Sequence, residues 1–134
     1  MHPFSAAIEA GDSAAVEALL ADDVVFTSPL ALQPHHGKPM TVAIVRGLMR
    51  VCDDFHYVRE IADPNGHDFA LVSEATVGGR RITGCDFLHL NDDGQISDLM
   101  VMVRPLAAAI ALGEAMRTEF DRIQAEAAAR TLHG

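Results

Sequence analysis

Asp86 lies in the run Arg80 to Leu90, where the alternate positions Ile82, Gly84 and Leu88 carry no charge. A lone carboxyl among aliphatic neighbours has its pKa raised by desolvation, which suits it to donate a hydrogen bond as a neutral acid or to move a proton near neutral pH. The alternative is a structural acid hydrogen-bonded to a neighbour such as Ser73. Tyr57 is the only tyrosine, and its run alternates Phe55, Tyr57 and Arg59 against His56 and Val58, so either Tyr57 or His56 can face a cavity. His35-His36 lacks further ligands at metal spacing, and Cys52 and Cys85 form no paired-cysteine motif, so neither a metal nor a cofactor is expected. Glu74, Arg81 and Arg104 suit exposed ion pairs and carry no chemistry.

These residues must be positioned by the elements around them. Pro3 suits the first turn of a helix over Phe4 to Ala10, Gly11 ends it, and Asp12 caps a second helix, Ser13 to Leu20. Val24 to Thr27 reads as a strand closed by Ser28-Pro29, and Leu30 to Gly37 as a loop. Lys38-Pro39 opens a third helix with Thr41, Ile44, Val45, Leu48 and Cys52 at helical spacing. From Phe55 the period changes to two, predicting strands over 55–62, 69–77, 80–90 and 95–103, separated by Asp63-Pro64-Asn65-Gly66, Gly78-Gly79 and Asn91-Asp92-Asp93-Gly94. Such short turns join antiparallel neighbours in a meander with the helices on one side. After Arg104-Pro105 a final helix over 106–130 presents Leu106, Ile110, Met116, Phe120 and Ile123 for packing, leaves Glu114, Arg117, Asp121 and Arg122 for solvent, and frays over Ala125 to Gly134.

The turns also predict strand register. A two-residue Gly78-Gly79 loop pairs Val77 with Arg80 and sets Leu71 opposite Asp86, Ser73 opposite Gly84 and Ala75 opposite Ile82. A four-residue loop at Asn91 to Gly94 pairs Leu90 with Gln95 and sets Asp86 opposite Leu99, Gly84 opposite Val101 and Ile82 opposite Val103. One face then collects Leu71, Ser73, Ala75, Ile82, Gly84, Asp86, Leu88, Leu99, Val101 and Val103, with Asp86 its only formal charge. The other face, with Phe87, Met100 and Met102, is too apolar to stand in water, so a homodimer through it is expected.

Several local patterns carry a resemblance: Gly11-Asp12 between the first helices, Ala21-Asp22-Asp23 with Val24 to Pro29, and His36-Gly37 before the third helix. To these add Gly84-Cys85-Asp86-Phe87-Leu88-His89-Leu90 and Asp93-Gly94-Gln95-Ile96. Over roughly residues 4–105 the chain resembles the nuclear transport factor 2-like cone fold, particularly its steroid Δ-isomerase and SnoaL-like polyketide cyclase branches. The resemblance implies an α+β fold in which a strongly curved, mainly antiparallel sheet wraps around N-terminal helices in the order α-α-β-α-β-β-β-β, plus the C-terminal helix. It also implies a cavity for an apolar ligand. In steroid isomerases one aspartate moves the proton, while a tyrosine and a protonated aspartate hold the oxyanion, the latter being a standard case of a carboxylic acid kept neutral by an apolar site. The oxyanion-binding aspartate falls on Asp86, the proton-moving aspartate on Ser28 and the tyrosine on Phe4. A serine without an activating base does not deprotonate a carbon acid, and a phenylalanine offers an oxyanion no hydrogen bond, so two of the three catalytic positions are substituted.

Composition bounds what remains. The 134 residues suit one domain, and 49% hydrophobic with 22% charged residues is an ordinary globular balance. A net charge of -9 repels phosphate backbones and anionic lipid, so neither nucleic acid nor a membrane surface is an expected partner. The start Met1-His2-Pro3-Phe4-Ser5 lacks a basic stretch followed by an apolar one, and a cytoplasmic location is expected. The expected protein is a SnoaL-like domain binding a small hydrophobic ligand, with Asp86 as the candidate catalytic residue. Phe4, Ser28, Tyr57, Leu71, Ser73, Ile82, Gly84, Leu88, Leu99, Val101 and Val103 are its candidate cavity residues. The alternatives are an isomerase- or cyclase-type enzyme on a steroid- or polyketide-like substrate with Asp86 as acid/base, and a protein-interaction module.

Overall fold

The structure is a computed structural model describing residues 2–133, so the expected domain limits Met1 and Gly134 lie outside the described residues. Helix α1 (Pro3–Glu9) opens with proline in its first turn and with His2 Nδ1 accepting the Phe4 N–H. Gly11, at φ +66°, turns the chain into α2 (Ser13–Leu19), where the Asp12 carboxylate accepts the Ala15 N–H. Strand β1 (Leu20–Thr27) follows without a loop, and the two-residue strand β2 (His35–His36) pairs with it antiparallel. The Leu30 to Gly37 segment is therefore not all loop. Two residues give no alternating pattern, which is why periodicity misses such a strand.

Helix α3 (Lys38–Val51) begins at a proline and leads into the meander β3 (Asp53–Ala62), β4 (Asp68–Val77), β5 (Arg80–Leu90) and β6 (Ile96–Arg104). The last described element is α4 (Leu106–His133), which stays helical over the described part of the segment expected to fray; Gly134 lies outside the described residues. The sheet order is β2-β1-β6-β5-β4-β3, with β1 parallel to β6 and the other pairs antiparallel. This is an α+β fold with a mainly antiparallel, curved sheet, as expected.

The β4–β5 register agrees with the Gly78-Gly79 count at every pair, including Leu71 opposite Asp86 and Ser73 opposite Gly84. The β5–β6 register does not follow the expected count. Leu90 pairs with Ile96, not Gln95, and an irregularity beside it adds one more residue, so Asp86 faces Val101, Gly84 faces Val103 and Leu88 faces Leu99. The loop is one residue longer because the Asn91 side chain accepts the N–H groups of Asp93 and Gln95, folding Asn91 to Gln95 into the turn. Two single-residue slips preserve parity, which is why Asp86, Leu99, Val101 and Val103 still share one face.

That face is concave and packs on the helices. Phe4 of α1, Val16 of α2, and Val42 and Val45 of α3 join Phe26, Leu71, Leu88, Ile96 and Leu99 in the main core. A second cluster of Ala75, Val77 and Ile82 with Ala108 and Leu112 closes the end of the sheet beneath α4. The packed stripe of α4 runs through Ala108, Leu112, Met116, Ile123 and Ala127, whereas Leu106, Ile110 and Phe120 are exposed. The expected packing of Met116 and Ile123 holds, while Leu106, Ile110 and Phe120 turn outward and Ala108, Leu112 and Ala127 complete the packed stripe. Gly47 of α3 permits this approach, since a Cβ there would lie 2.8 Å from Ile123 Cδ1. Across the same contact Arg50 pairs with Glu119 and Glu126, and Arg46 Nε approaches Glu126 Oε2 to 3.0 Å without hydrogen-bond alignment.

Candidate functional site

Between α1, α3 and the concave sheet face lies a cavity of about 340 Å³, at the lower end of the roughly 300–1,000 Å³ typical of small-molecule sites. Its helical wall is Phe4 and Ile8 from α1 with Val45, Leu48 and Met49 from α3. Its sheet wall carries Tyr57, Ser73, Ala75, Ile82, Gly84, Asp86, Leu99, Val101 and Val103. Glu9, Gly11, Cys52 and Phe55 also line it, and Leu112 of α4 contributes at the end covered by that helix. Among the candidates read from the sequence, Phe4, Tyr57, Ser73, Ile82, Gly84, Asp86, Leu99, Val101 and Val103 come together here.

Three candidates do not. Leu71 and Leu88 share the concave face but are fully packed into the main core beyond the cavity. Ser28 follows β1, where its Oγ accepts the Leu30 N–H at 3.0 Å and closes a local turn instead of facing the cavity.

Asp86 is 8% exposed, and its pKa is pushed up to about 6 by burial, with the hydrogen bond from Tyr57 working in the opposite direction. Tyr57 Oη donates to Asp86 Oδ2 at 2.6 Å. This replaces the expected alternative of a bond to Ser73. Tyr57 stays protonated, its pKa raised by burial first, then by the charge of and hydrogen bond to Asp86, and last by Glu9. The structure also decides between the two rings: Tyr57 faces the cavity, while the side chain of His56 is 52% exposed and lies 3.6 Å from Glu74 on the outer face.

The sequence alone could not make that choice because β3 is irregular on both sides of Tyr57, between Asp53 and His56 and between Tyr57 and Arg59. Each irregularity resets the alternation, so strand parity cannot be counted from either end. The Tyr57 N–H donates to Glu9 Oε1 at 2.9 Å, tying β3 to the end of α1, and the Phe55 ring meets Tyr57 edge-on at 5.1 Å between centroids. Glu9 and Met49 left no usable signal in the sequence. A helix of seven residues has too few turns to define a face, and a methionine at helical spacing reads simply as core.

Chemically, the site is a largely apolar chamber with a buried acid, Asp86, and a more exposed one, Glu9. Asp86 Oδ2 is engaged by Tyr57, and Oδ1 has no hydrogen-bond partner among the described residues. The thiol of Cys52 is pushed up to about 11 by burial and by Asp53, so it remains a thiol and a poor nucleophile. No group of three or more His, Cys, Asp or Glu suited to holding a metal occurs among the described residues. The other polar side chains on the lining are Glu9, whose Oε1 accepts the Tyr57 N–H, and Ser73, whose hydroxyl lies against Gly84.

Comparison with known proteins agrees with this architecture. The SnoaL-like domain family matches residues 2–99. No curated protein matches the chain. Among solved structures, a steroid Δ-isomerase from Pseudomonas aeruginosa is 37% identical, with a TM-score of 0.83 over 90% of this chain and 88% of that one. A conserved bacterial protein with a cystatin-like fold from Silicibacter pomeroyi is 31% identical, with a TM-score of 0.82 over 87% and 82% of the two chains. A SnoaL-like protein of unknown function from Burkholderia thailandensis shares the fold at 18% identity, with a TM-score of 0.63 over 77% and 89%.

Proposed function

The chain belongs to the SnoaL-like domain family, in the SnoaL-like and ketosteroid isomerase-like branch of the nuclear transport factor 2-like superfamily, and from that premise we propose that its cavity binds a small hydrophobic ligand oriented by Asp86. The observation that carries this is the unpaired Oδ1 of a buried carboxyl within a largely apolar chamber. Asp86 Oδ1 is not one of the fully enclosed unpaired atoms, so it opens onto the chamber, where a ligand seated there can hydrogen-bond it. A thermal-shift panel of neutral ring compounds tests the reading. A concentration-dependent rise in melting temperature that Leu99→Trp, a cavity-filling change, removes is the expected result; no shift with any member of the panel contradicts it.

A second reading is favoured by the position of Asp86 near pH 6 and by the 37% identity to a steroid Δ-isomerase. In it the domain is an isomerase- or cyclase-type enzyme on a steroid- or polyketide-like substrate, and Asp86 takes a proton from one atom and returns it to another. A carboxyl titrating near the working pH is well matched to that task. Ser28 and Phe4 cannot supply the two missing groups, so Asp86 would carry the acid/base work itself. Turnover unchanged in Asp86→Asn would dismiss this reading.

The outer sheet face suggests an assembly. Phe87 opposes Met100 and Cys85 opposes Met102 across β5 and β6, with Phe87 41% and Met102 54% exposed. The proposed occupant of this apolar stripe is a second copy of the chain, making the domain a homodimer; a monomer that binds a different protein through Phe87 and Met102 is the interaction-module alternative. Both cysteines are free, as suits the reducing cytoplasm proposed as its location. No helix among the described residues is long and apolar enough to cross a membrane.

A further inference from the structure

Ser73 lies at the centre of the polar end of the cavity. It pairs across the sheet with Tyr57 on one side and with Gly84 on the other, one diagonal step from Asp86, and its side chain is almost fully buried. A buried hydroxyl normally finds a hydrogen-bond partner, yet Ser73 Oγ has none among the described residues, although it lines the cavity. The residue that keeps it accessible is Gly84, because a Cβ at that position would lie 3.0 Å from Ser73 Oγ, tighter than ordinary van der Waals contact. The glycine needs no unusual backbone angle here. Its lack of a side chain leaves space above the hydroxyl.

The donors in the cavity narrow the role of that hydroxyl. The Tyr57 proton is committed to Asp86 Oδ2, and above pH 6 the free Asp86 Oδ1 is an acceptor. The Cys52 thiol is a weak donor. The Ser73 O–H is then the uncommitted strong donor on the lining. The lining also contains Glu9 and Asp86 but no Lys, Arg or His, so nothing among the described residues compensates an anion brought inside.

Resting on the ligand-binding reading above, we propose that Ser73 is a specificity-determining residue, which donates through the space left by Gly84 to a neutral acceptor oxygen such as a ketone carbonyl. Ligands whose oxygen is a carboxylate are refused. The class selected is therefore a neutral, largely hydrocarbon ketone, ester or ether.

Three matched probes test this at pH 7.5 by calorimetric titration: naphthalene, 2-acetylnaphthalene and 2-naphthoate. The wild-type protein is expected to prefer 2-acetylnaphthalene over naphthalene by roughly tenfold, the worth of one neutral hydrogen bond, and to bind 2-naphthoate more weakly than either. In Ser73→Ala the ketone-to-hydrocarbon preference is expected to collapse toward one, and Gly84→Ala, which crowds the hydroxyl, is expected to reduce it as well. Ser73→Thr, which keeps a hydroxyl, is expected to restore most of it, a rescue that a purely structural role for Ser73 does not predict. If naphthalene and 2-acetylnaphthalene both bind and Ser73→Ala leaves their ratio unchanged, Ser73 does not set specificity while the cavity reading stands. Tight binding of 2-naphthoate overturns the exclusion of anions. Failure of all three probes to bind overturns the proposal together with the cavity reading beneath it.

Discussion

Replacing Asp86 with asparagine removes the charge while keeping the shape and an oxygen able to accept from Tyr57 Oη. Burial moves this carboxyl from its ordinary 3.8 to about 6, so the folded protein holds the Asp86 proton more tightly than the unfolded chain does. Stability follows the difference in bound protons, unfolded minus folded, which is negative between those values. Stability is thus highest below about pH 4, falls as the pH rises toward 6, and is then level as far as this group is concerned. At about 1.4 kcal/mol per pH unit, the loss amounts to about 3 kcal/mol. Asparagine has no such titration. Its own constant cost, from an amide nitrogen without a partner, cancels when the two proteins are compared at two pH values. Urea unfolding followed by circular dichroism at pH 4 and pH 7 should show the stability of Asp86→Asn relative to wild type improving by about 2 kcal/mol at the higher pH, since part of the full change is already spent at pH 4. A relative stability that is the same at both pH values, within about 0.5 kcal/mol, would refute the burial argument for Asp86.

Tyr57→Phe removes the bond that holds the Asp86 pKa down, so a carboxyl carbon NMR titration should show the Asp86 midpoint moving upward from about 6. Gly47→Ala, although favourable for an isolated helix, pushes a methyl against Ile123 and should destabilise the protein by roughly 1 kcal/mol in denaturant melts. Glu126→Ala removes the shared partner of Arg46 and Arg50 and should cost about 1–2 kcal/mol, read in the same melts, because these side chains are only partly exposed. Met102→Glu places a charge on the exposed outer face and should convert the proposed dimer to a monomer in light scattering at micromolar concentration, with the fold retained by circular dichroism; a wild-type protein that is itself monomeric there contradicts the dimer.

The parts of this fold that were legible in the sequence are those set by local chemistry. Gly78 and Gly79 sit at positive φ and turn the β4–β5 hairpin, so counting outward from them places Leu71 opposite Asp86 correctly. The β5–β6 count fails by two because Asn91 draws Gln95 into its loop and β6 carries an extra residue beside Leu90. Only the even sum of the two slips saved the face assignment. Tyr57 was unreadable for the matching reason, with irregular pairing on both of its sides. The outward turn of Leu106, Ile110 and Phe120 is not legible because a helix rich in alanine offers more than one apolar face, and the contact that chooses between them, Ile123 over Gly47, joins two distant segments. Ser28 was carried into the cavity by resemblance alone, and its bond to Leu30 N–H draws it into a turn.

Asp86 is a buried acid that the proposed ligand must be able to reach. A titration of its carboxyl carbon by NMR, run with and without saturating 2-acetylnaphthalene, tests both parts together. A midpoint of about 6 is expected in the free protein and a higher one in the complex, because the ketone oxygen can accept from Asp86 only when the carboxyl is protonated and the ring system strips solvent from Oδ1. A midpoint in the ordinary carboxylate range, or one that does not move when the ligand is bound, would contradict it.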